Sequence, residues 1–161
     1  MGQREIITEE ISKLFSKGIL EQTEYAEGDF LSTIFVQPKK DGSYRMILNL
    51  KPLNEFVSYY HFKMDTIQTA LKLMRPGSFM ASVDLKDTYY SVPAAKEDRK
   101  YLKFEWQGCY YEYTCLPNGL PCAPRLFTKI LKPVYSHIRS MGHICMGHID
   151  DSFLVGYEYT A

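Results

Sequence analysis

The chain has 161 residues, 45% hydrophobic and 14% aromatic. That is enough for one globular domain with a sizeable core and too little for a large multidomain enzyme. Its 19 basic residues balance 19 acidic ones, which excludes the overall basic charge of a typical nucleic-acid-binding domain. Positive charge for a polyanionic partner must therefore be local, and the acids must serve another purpose. Cys109, Cys115, Cys122 and Cys145 form neither a CxxC pair nor a small disulfide framework, so reduced, mostly buried thiols in a reducing compartment are expected. The first residues lack a signal peptide's apolar segment, and Ile6 stands where a myristoylation motif has Ser or Thr. No apolar run reaches the length of a membrane span, so a soluble, intracellular protein is expected, cytoplasmic or nuclear.

In chain order, Thr8 before Glu9 and Glu10 predicts a helix start, with acids where the helix dipole favours them. Ile7, Ile11, Leu14 and Phe15 repeat at helical spacing, and Gly18 is placed to end the helix. Residues 32–37 and 44–50 read as strands. The Asp41-Gly42 signal between them predicts a hairpin whose tip carries Lys39 and Lys40. Pro52 and the aromatic stretch 56–62 read as an irregular connection. Asp65 is a candidate cap for a helix to about Met74, which Pro76-Gly77 stops. Residues 79–84 form a short apolar strand ending on an acid. Gln107-Gly108 joins strands at 101–106 and 109–114. A helical pattern over 122–140 contains Pro133, which should kink or divide it. Residues 144–149 and 152–156 make a third hairpin with Asp150-Asp151 at its turn. Without repeats, linkers or regular βαβ alternation, the mixture predicts an α+β fold.

Two apolar strands end on acids, at Val83-Asp84 and at Ile149-Asp150-Asp151. Neighbouring carboxylates repel, and burying them is costly unless a cation compensates. All-oxygen ligands suit Mg²⁺, and two such ions about 4 Å apart can stabilise the attacking and leaving oxygens of phosphoryl transfer. That chemistry needs strand 79–84 beside hairpin 144–156, with Asp84 facing Asp150. Taken alone, the plainer reading is that Asp84 caps a short helix and Asp150-Asp151 forms a turn.

Four motifs in one order decide between these readings. From about Phe30 to Gly156 the chain resembles the reverse transcriptases of retroelements, in wording most like the DIRS-type retrotransposons. The run Val83-Asp84-Leu85-Lys86-Asp87-Thr88-Tyr89-Tyr90-Ser91-Val92-Pro93 is similar to the first palm motif of that family. Leu116-Pro117-Asn118-Gly119-Leu120-Pro121-Cys122-Ala123-Pro124, followed by Phe127-Thr128, resembles its Leu-Pro-x-Gly-Leu-x-x-Ala-Pro motif. His148-Ile149-Asp150-Asp151 sits where the family has Tyr-x-Asp-Asp. Lys39 to Arg45 resembles the fingers hairpin, and Leu53-Asn54 the dipeptide after it.

The resemblance implies a right-hand polymerase with an antiparallel palm sheet packed on helices. About 1–78 would be mainly fingers, and about 79–161 mainly palm with part of the fingers. It implies RNA-directed DNA polymerase activity, with template–primer nucleic acid and dNTP as partners. Asp84 and Asp150 would bind two Mg²⁺ ions, replaceable by Mn²⁺, with Asp151 a weaker ligand. Lys39 and Arg45 would meet the triphosphate, as a point charge and a bidentate fork. Tyr89 would crowd the sugar's 2′-carbon, and Asn118 and Gly119 would lie under sugar and base, where glycine admits close approach. For the basic tip the alternative is a solvated turn, for Tyr89 a core tyrosine, and for Arg125 and Lys129 a solvated helix face.

His148 departs from the family's tyrosine, and Asn118 from its usual phenylalanine or glutamine. The chain also stops at Ala161, without a thumb or RNase H module. A polymerase without a thumb should bind duplex poorly, because backbone contacts dominate that affinity. The expectation is a truncated copy whose site geometry outlasts its activity. The alternative is a catalytically inactive remnant that at most binds nucleic acid. A zinc module built on His143, Cys145 and His148 is a weaker reading, because strand alternation splits the ligands between faces and a fourth is missing.

Overall fold

The structure, a computed structural model, describes residues 2–157. The chain divides into two compact units, Met1–Ser58 with Tyr89–Ala123, and Tyr59–Thr88 with Pro124–Ala161. Every pair of neighbouring strands is antiparallel, as an α+β fold of hairpins requires.

The first unit opens with helix α1 (Gln3–Ser16). It starts five residues before the expected Thr8, because Glu5 reaches back to accept the Gly2 amide at 3.0 Å and so closes the first turn. Thr8 lies inside the helix, bonded to the Arg4 carbonyl at 2.9 Å and receiving the Trp106 indole N–H at 3.1 Å. Ile7, Ile11 and Leu14 are buried as their spacing predicts, whereas Phe15 is half exposed. Gly18 takes φ +71°, and the Ile19 amide returns to the Leu14 carbonyl at 3.0 Å, ending the helix.

Strand β1 (Leu20–Thr23) follows, unanticipated because Leu-Glu-Gln-Thr has no apolar alternation. It is held instead by pairing with a distant hairpin. Strands β2 (Ile34–Pro38) and β3 (Tyr44–Leu48) form the first predicted hairpin, and Asp41 Oδ1 accepts the Ser43 amide at 2.9 Å inside its turn. A one-turn helix, α2 (Lys51–Asn54), occupies part of the expected irregular stretch. Strands β5 (Lys103–Trp106) and β6 (Cys109–Tyr113) form the second hairpin and, with β1, a sheet in the order β1-β6-β5. Phe104 and Tyr113 on these strands are almost wholly buried.

The second unit contains helix α3 (Ile67–Leu73) and strand β4 (Phe79–Asp84). It also holds most of helix α4 (Ala123–Ser140) and strands β7 (Ile144–His148) and β8 (Asp151–Gly156). Asp65 does not cap α3, which begins after Thr66; its carboxylate pairs with Arg139 at 3.1 Å. Pro133 sits inside α4 without dividing it. The sheet order is β4-β8-β7, so β8 is central. α4 is tied to β7 by Arg139, whose Nε and Nη2 donate to the Cys145 carbonyl at 3.0 and 2.8 Å. All four cysteines are free, and burial pushes the Cys115 and Cys122 thiols up, away from reactive thiolate. No helix among the described residues is long and apolar enough to cross a membrane.

Candidate active site

The second unit brings the three predicted acids together. Asp84 ends β4 and stands opposite Asp151 in register, and Asp151 stands opposite His148 on its other side. Directly opposed residues in an antiparallel pair have Cα atoms about 4.5–5.5 Å apart. The partner facing Asp84 is thus Asp151, the first residue of β8, rather than Asp150. Asp150 lies in the two-residue turn with Ile149, and its carbonyl accepts the Leu85 amide at 2.9 Å. This bond ties the chain just beyond Asp84 to the hairpin tip. Strand alternation then sets Asp84, Asp151 and His148 on one sheet face, and Val83, Ser152 and Gly147 on the other.

The arrangement stores energy in two ways. Like charges directly opposed across a strand pair destabilise it. Ile149 adopts φ +57°, a left-handed conformation that a β-branched residue rarely takes. Asp84, Asp150 and Asp151 are all exposed, and among the described residues no hydrogen bond or ion pair engages their carboxylates. Facing carboxylates are the kind of oxygen donor that a hard cation takes. Mg²⁺ takes one or two protein carboxylates and keeps several waters. Among the described residues no group of three or more His, Cys, Asp or Glu side chains is placed to hold a metal ion, so the donors on offer are the facing pair Asp84 and Asp151 with Asp150 in the adjoining turn. His148 Nδ1 lies 3.1 Å from the Asp65 carbonyl, and Cys145 is buried on the opposite sheet face. Met146, His148, Asp151 and Phe153 border a cavity of about 310 Å³ beside the acids.

The residues expected to meet a nucleotide lie in the first unit. Arg45 on β3 is opposite Gln37, whose Oε1 accepts its Nε at 3.2 Å and its Nη2 at 2.7 Å, so the guanidinium is held on the strand. Arg45, Asn118 and Gly119 border one cavity of about 280 Å³ together with Tyr90 and Tyr113. Gly119 has φ +104°, and its carbonyl accepts Asn54 Nδ2 at 2.9 Å. Lys39 is exposed in the hairpin turn, its amide bonded to the Ser43 carbonyl at 2.7 Å. Tyr89 is half-buried and begins a 3₁₀ turn (Tyr89–Ser91). Neither Lys39 nor Tyr89 borders this cavity. Sequence reasoning missed Tyr90 and Tyr113, whose rings stack with centroids 6.3 Å apart. Two adjacent tyrosines carry no local signal for which one faces a cavity.

Residues 37–159 match the family model described as "Reverse transcriptase (RNA-dependent DNA polymerase)". The Tf2-7 transposon polyprotein of Schizosaccharomyces pombe is 25% identical over 144 residues, 89% of this chain and 11% of that protein. The Tf2-3 polyprotein of the same yeast is 25% identical over 150 residues. The chain thus spans about a tenth of these relatives' length, 11%. Among solved structures, the native prototype foamy virus protease-reverse transcriptase superposes with TM-score 0.77 at 23% identity, covering 97% of this chain and 20% of that one. The foamy viral protease-reverse transcriptase dRH in complex with double-stranded DNA gives TM-score 0.80 at 24% identity, covering 94% and 26%. At that identity the likeness is one of fold, and it agrees with the α+β reading. With the family model covering both the acids and the Leu-Pro-Asn-Gly segment, this chain belongs to the reverse transcriptase (RNA-dependent DNA polymerase) family.

Proposed function

We propose that the chain is the fingers-and-palm part of an RNA-directed DNA polymerase, which transfers a nucleotidyl group from a dNTP to a primer 3′ end on an RNA or DNA template. The observation that carries this reading is the register that sets Asp84 opposite Asp151 with Asp150 in the adjoining turn. In the reaction the primer 3′ oxygen bonds to the α-phosphorus, the bond to the β-phosphate oxygen breaks, pyrophosphate leaves and the hydroxyl proton passes to solvent. Two divalent ions, when bound, would favour ionisation of that hydroxyl and take up charge on the leaving group. Asp84 and Asp150, with Asp151 as the weaker ligand, would hold them.

Lys39 and Arg45 would neutralise the triphosphate, Tyr89 would bear on the sugar, and Asn118 and Gly119 would support sugar and base. The cavity bordered by Arg45, Asn118 and Gly119 supports the roles of these three residues, while those of Lys39 and Tyr89 rest on the motif resemblance. About 1–78 would be mainly fingers, and about 79–161 mainly palm with part of the fingers. A DNA duplex and an RNA/DNA hybrid accompany foamy viral relatives, and template–primer is the partner proposed here. The finer DIRS-type resemblance rests on motif wording alone, while the relatives named above are Tf2 transposons and a foamy virus. Primer extension with Mg²⁺ tests the proposal. Extension by the wild-type chain and none by Asp150→Ala supports it; equal inertness of the two would overturn it for this chain and favour the catalytically inactive remnant.

A further inference from the structure

Ser152 occupies a crossing point in the acid-bearing sheet. It pairs with Val83 on one side and Gly147 on the other, each one residue before a member of the Asp84–Asp151–His148 row. On the face opposite that row, Tyr135 of α4 reaches across Gly147, and its hydroxyl lies 2.6 Å from Ser152 Oγ. A Cβ at Gly147 would collide with the Tyr135 ring and hydroxyl, so the ring fills the space where any other residue's side chain would stand. Ser152 is buried, and Tyr135 is the partner that satisfies its hydroxyl. The backbone of the same residue is engaged as well: the Tyr135 carbonyl accepts the Cys145 thiol at 3.6 Å.

We infer that Tyr135, seated on Gly147 and bonded to Ser152, is a positioning residue that sets the height of hairpin β7–β8 on α4 and so holds Asp150 and Asp151 against Asp84. A strand pair carrying opposed acids and a left-handed Ile149 needs such a restraint, because its own pairing is weakened at that end. The ring acts as a stop from below, and the hydroxyl fixes the strand laterally. Outer contacts that orient ligands in this way typically govern metal affinity by about 10–100-fold.

The inference rests on the metal reading of the acids, and the experiment separates the two. Amide hydrogen exchange at Leu85, whose N–H bonds the Asp150 carbonyl, is measured without metal in the full chain, and Mn²⁺ uptake is measured by the free-ion EPR signal. Tyr135→Phe and Gly147→Ala should each speed Leu85 exchange at least about threefold, reflecting local opening. Each should also weaken Mn²⁺ binding about tenfold. Adding Gly147→Ala to Tyr135→Ala should change neither further, because the ring it displaces is gone. Leu14→Ala, in the buried face of α1, should lower the melting temperature and leave both readouts unchanged. Unchanged Leu85 exchange in Tyr135→Phe and Gly147→Ala, or additive effects in the double variant, would overturn the positioning role. If exchange responds as expected while wild type and Asp150→Ala take up Mn²⁺ alike, the metal reading falls and the positioning of the hairpin stands.

Discussion

Lys103 is a cation that β5 places inside the first unit, where it needs a fixed counter-charge. Its ammonium donates to Asp29 Oδ2 at 2.8 Å and to the Glu24 carbonyl at 3.1 Å, with Glu112 Oε2 at 3.6 Å. Both side chains of the close pair are nearly excluded from water, at 7% and 4% exposure. Burial alone would raise the Asp29 carboxyl, but the Lys103 bond, the Ala26 amide and the charges of Lys103 and Lys100 outweigh it and hold the group low. A lowered folded-state pKa contributes stability that is present above the unfolded value near 3.8 and is lost as pH falls through the folded one. Asp29→Ala should therefore cost about 2 kcal/mol at neutral pH, because it removes the closest partner of a buried ammonium and leaves Glu112, at 3.6 Å, as the remaining counter-charge. The gap between wild type and variant in urea denaturation should shrink as pH falls below 3.8. A gap that stays constant with pH would mean the loss comes from packing rather than charge.

At the scale of elements, the hairpins show which parts of the fold are local in origin. Gln107 and Gly108 take φ +52° and +80°, the paired left-handed geometry whose twist matches the flanking strands. Gly108→Ala should cost about 1 kcal/mol of stability, since an L side chain strains there. Gln107→Asn should act in the opposite direction, because Asn tolerates the left-handed region better. Thermal melts of the two single variants check the opposing signs. Turn chemistry of this kind is written in a few adjacent residues, so the turns at Asp41-Gly42 and Gln107-Gly108 were legible in the sequence. So was β4, an apolar run ending on an acid. Strand β1 was not, because its stability comes from partners on β6 nearly a hundred residues away in the chain, Leu20 pairing with Tyr113. That strand 79–84 lies beside the hairpin carrying Asp150 and Asp151 could be expected from the motifs, but the expected pairing of Asp84 with Asp150 was off by one. Whether Asp150 or Asp151 faces Asp84 depends on a two-residue turn that leaves Ile149 strained. The meeting of Tyr135 with Gly147 had no local signature at all, since a glycine in a strand announces close approach without naming what approaches.

Across the whole molecule, burial is unevenly shared. Ile6, Ile11, Leu14, Leu48, Phe104 and Tyr113 belong to the well-filled core of the first unit. In the second, among the described residues, the buried apolar side chains are Ala70, Phe127, Cys145, Met146 and Val155, while Ile67, Leu71, Phe79, Met80 and Val83 stand exposed. Local stability follows buried apolar contact, so the two units should open at different free energies. Amides of β4, β7 and β8 should exchange faster than those of β1, β5 and β6 in metal-free protein. Mg²⁺ bound by the opposed acids would stabilise only the unit that holds them, by about 1.4 kcal/mol at ten times its Kd. Exchange in β4, β7 and β8 should then slow about tenfold while β1, β5 and β6 stay unchanged. Asp84→Asn should abolish the response and, by removing one of two facing charges, slow exchange of the metal-free sheet by itself. Equal protection of both sheets by Mg²⁺, or a response that survives Asp84→Asn, would place the ion somewhere other than the carboxylates of the second unit.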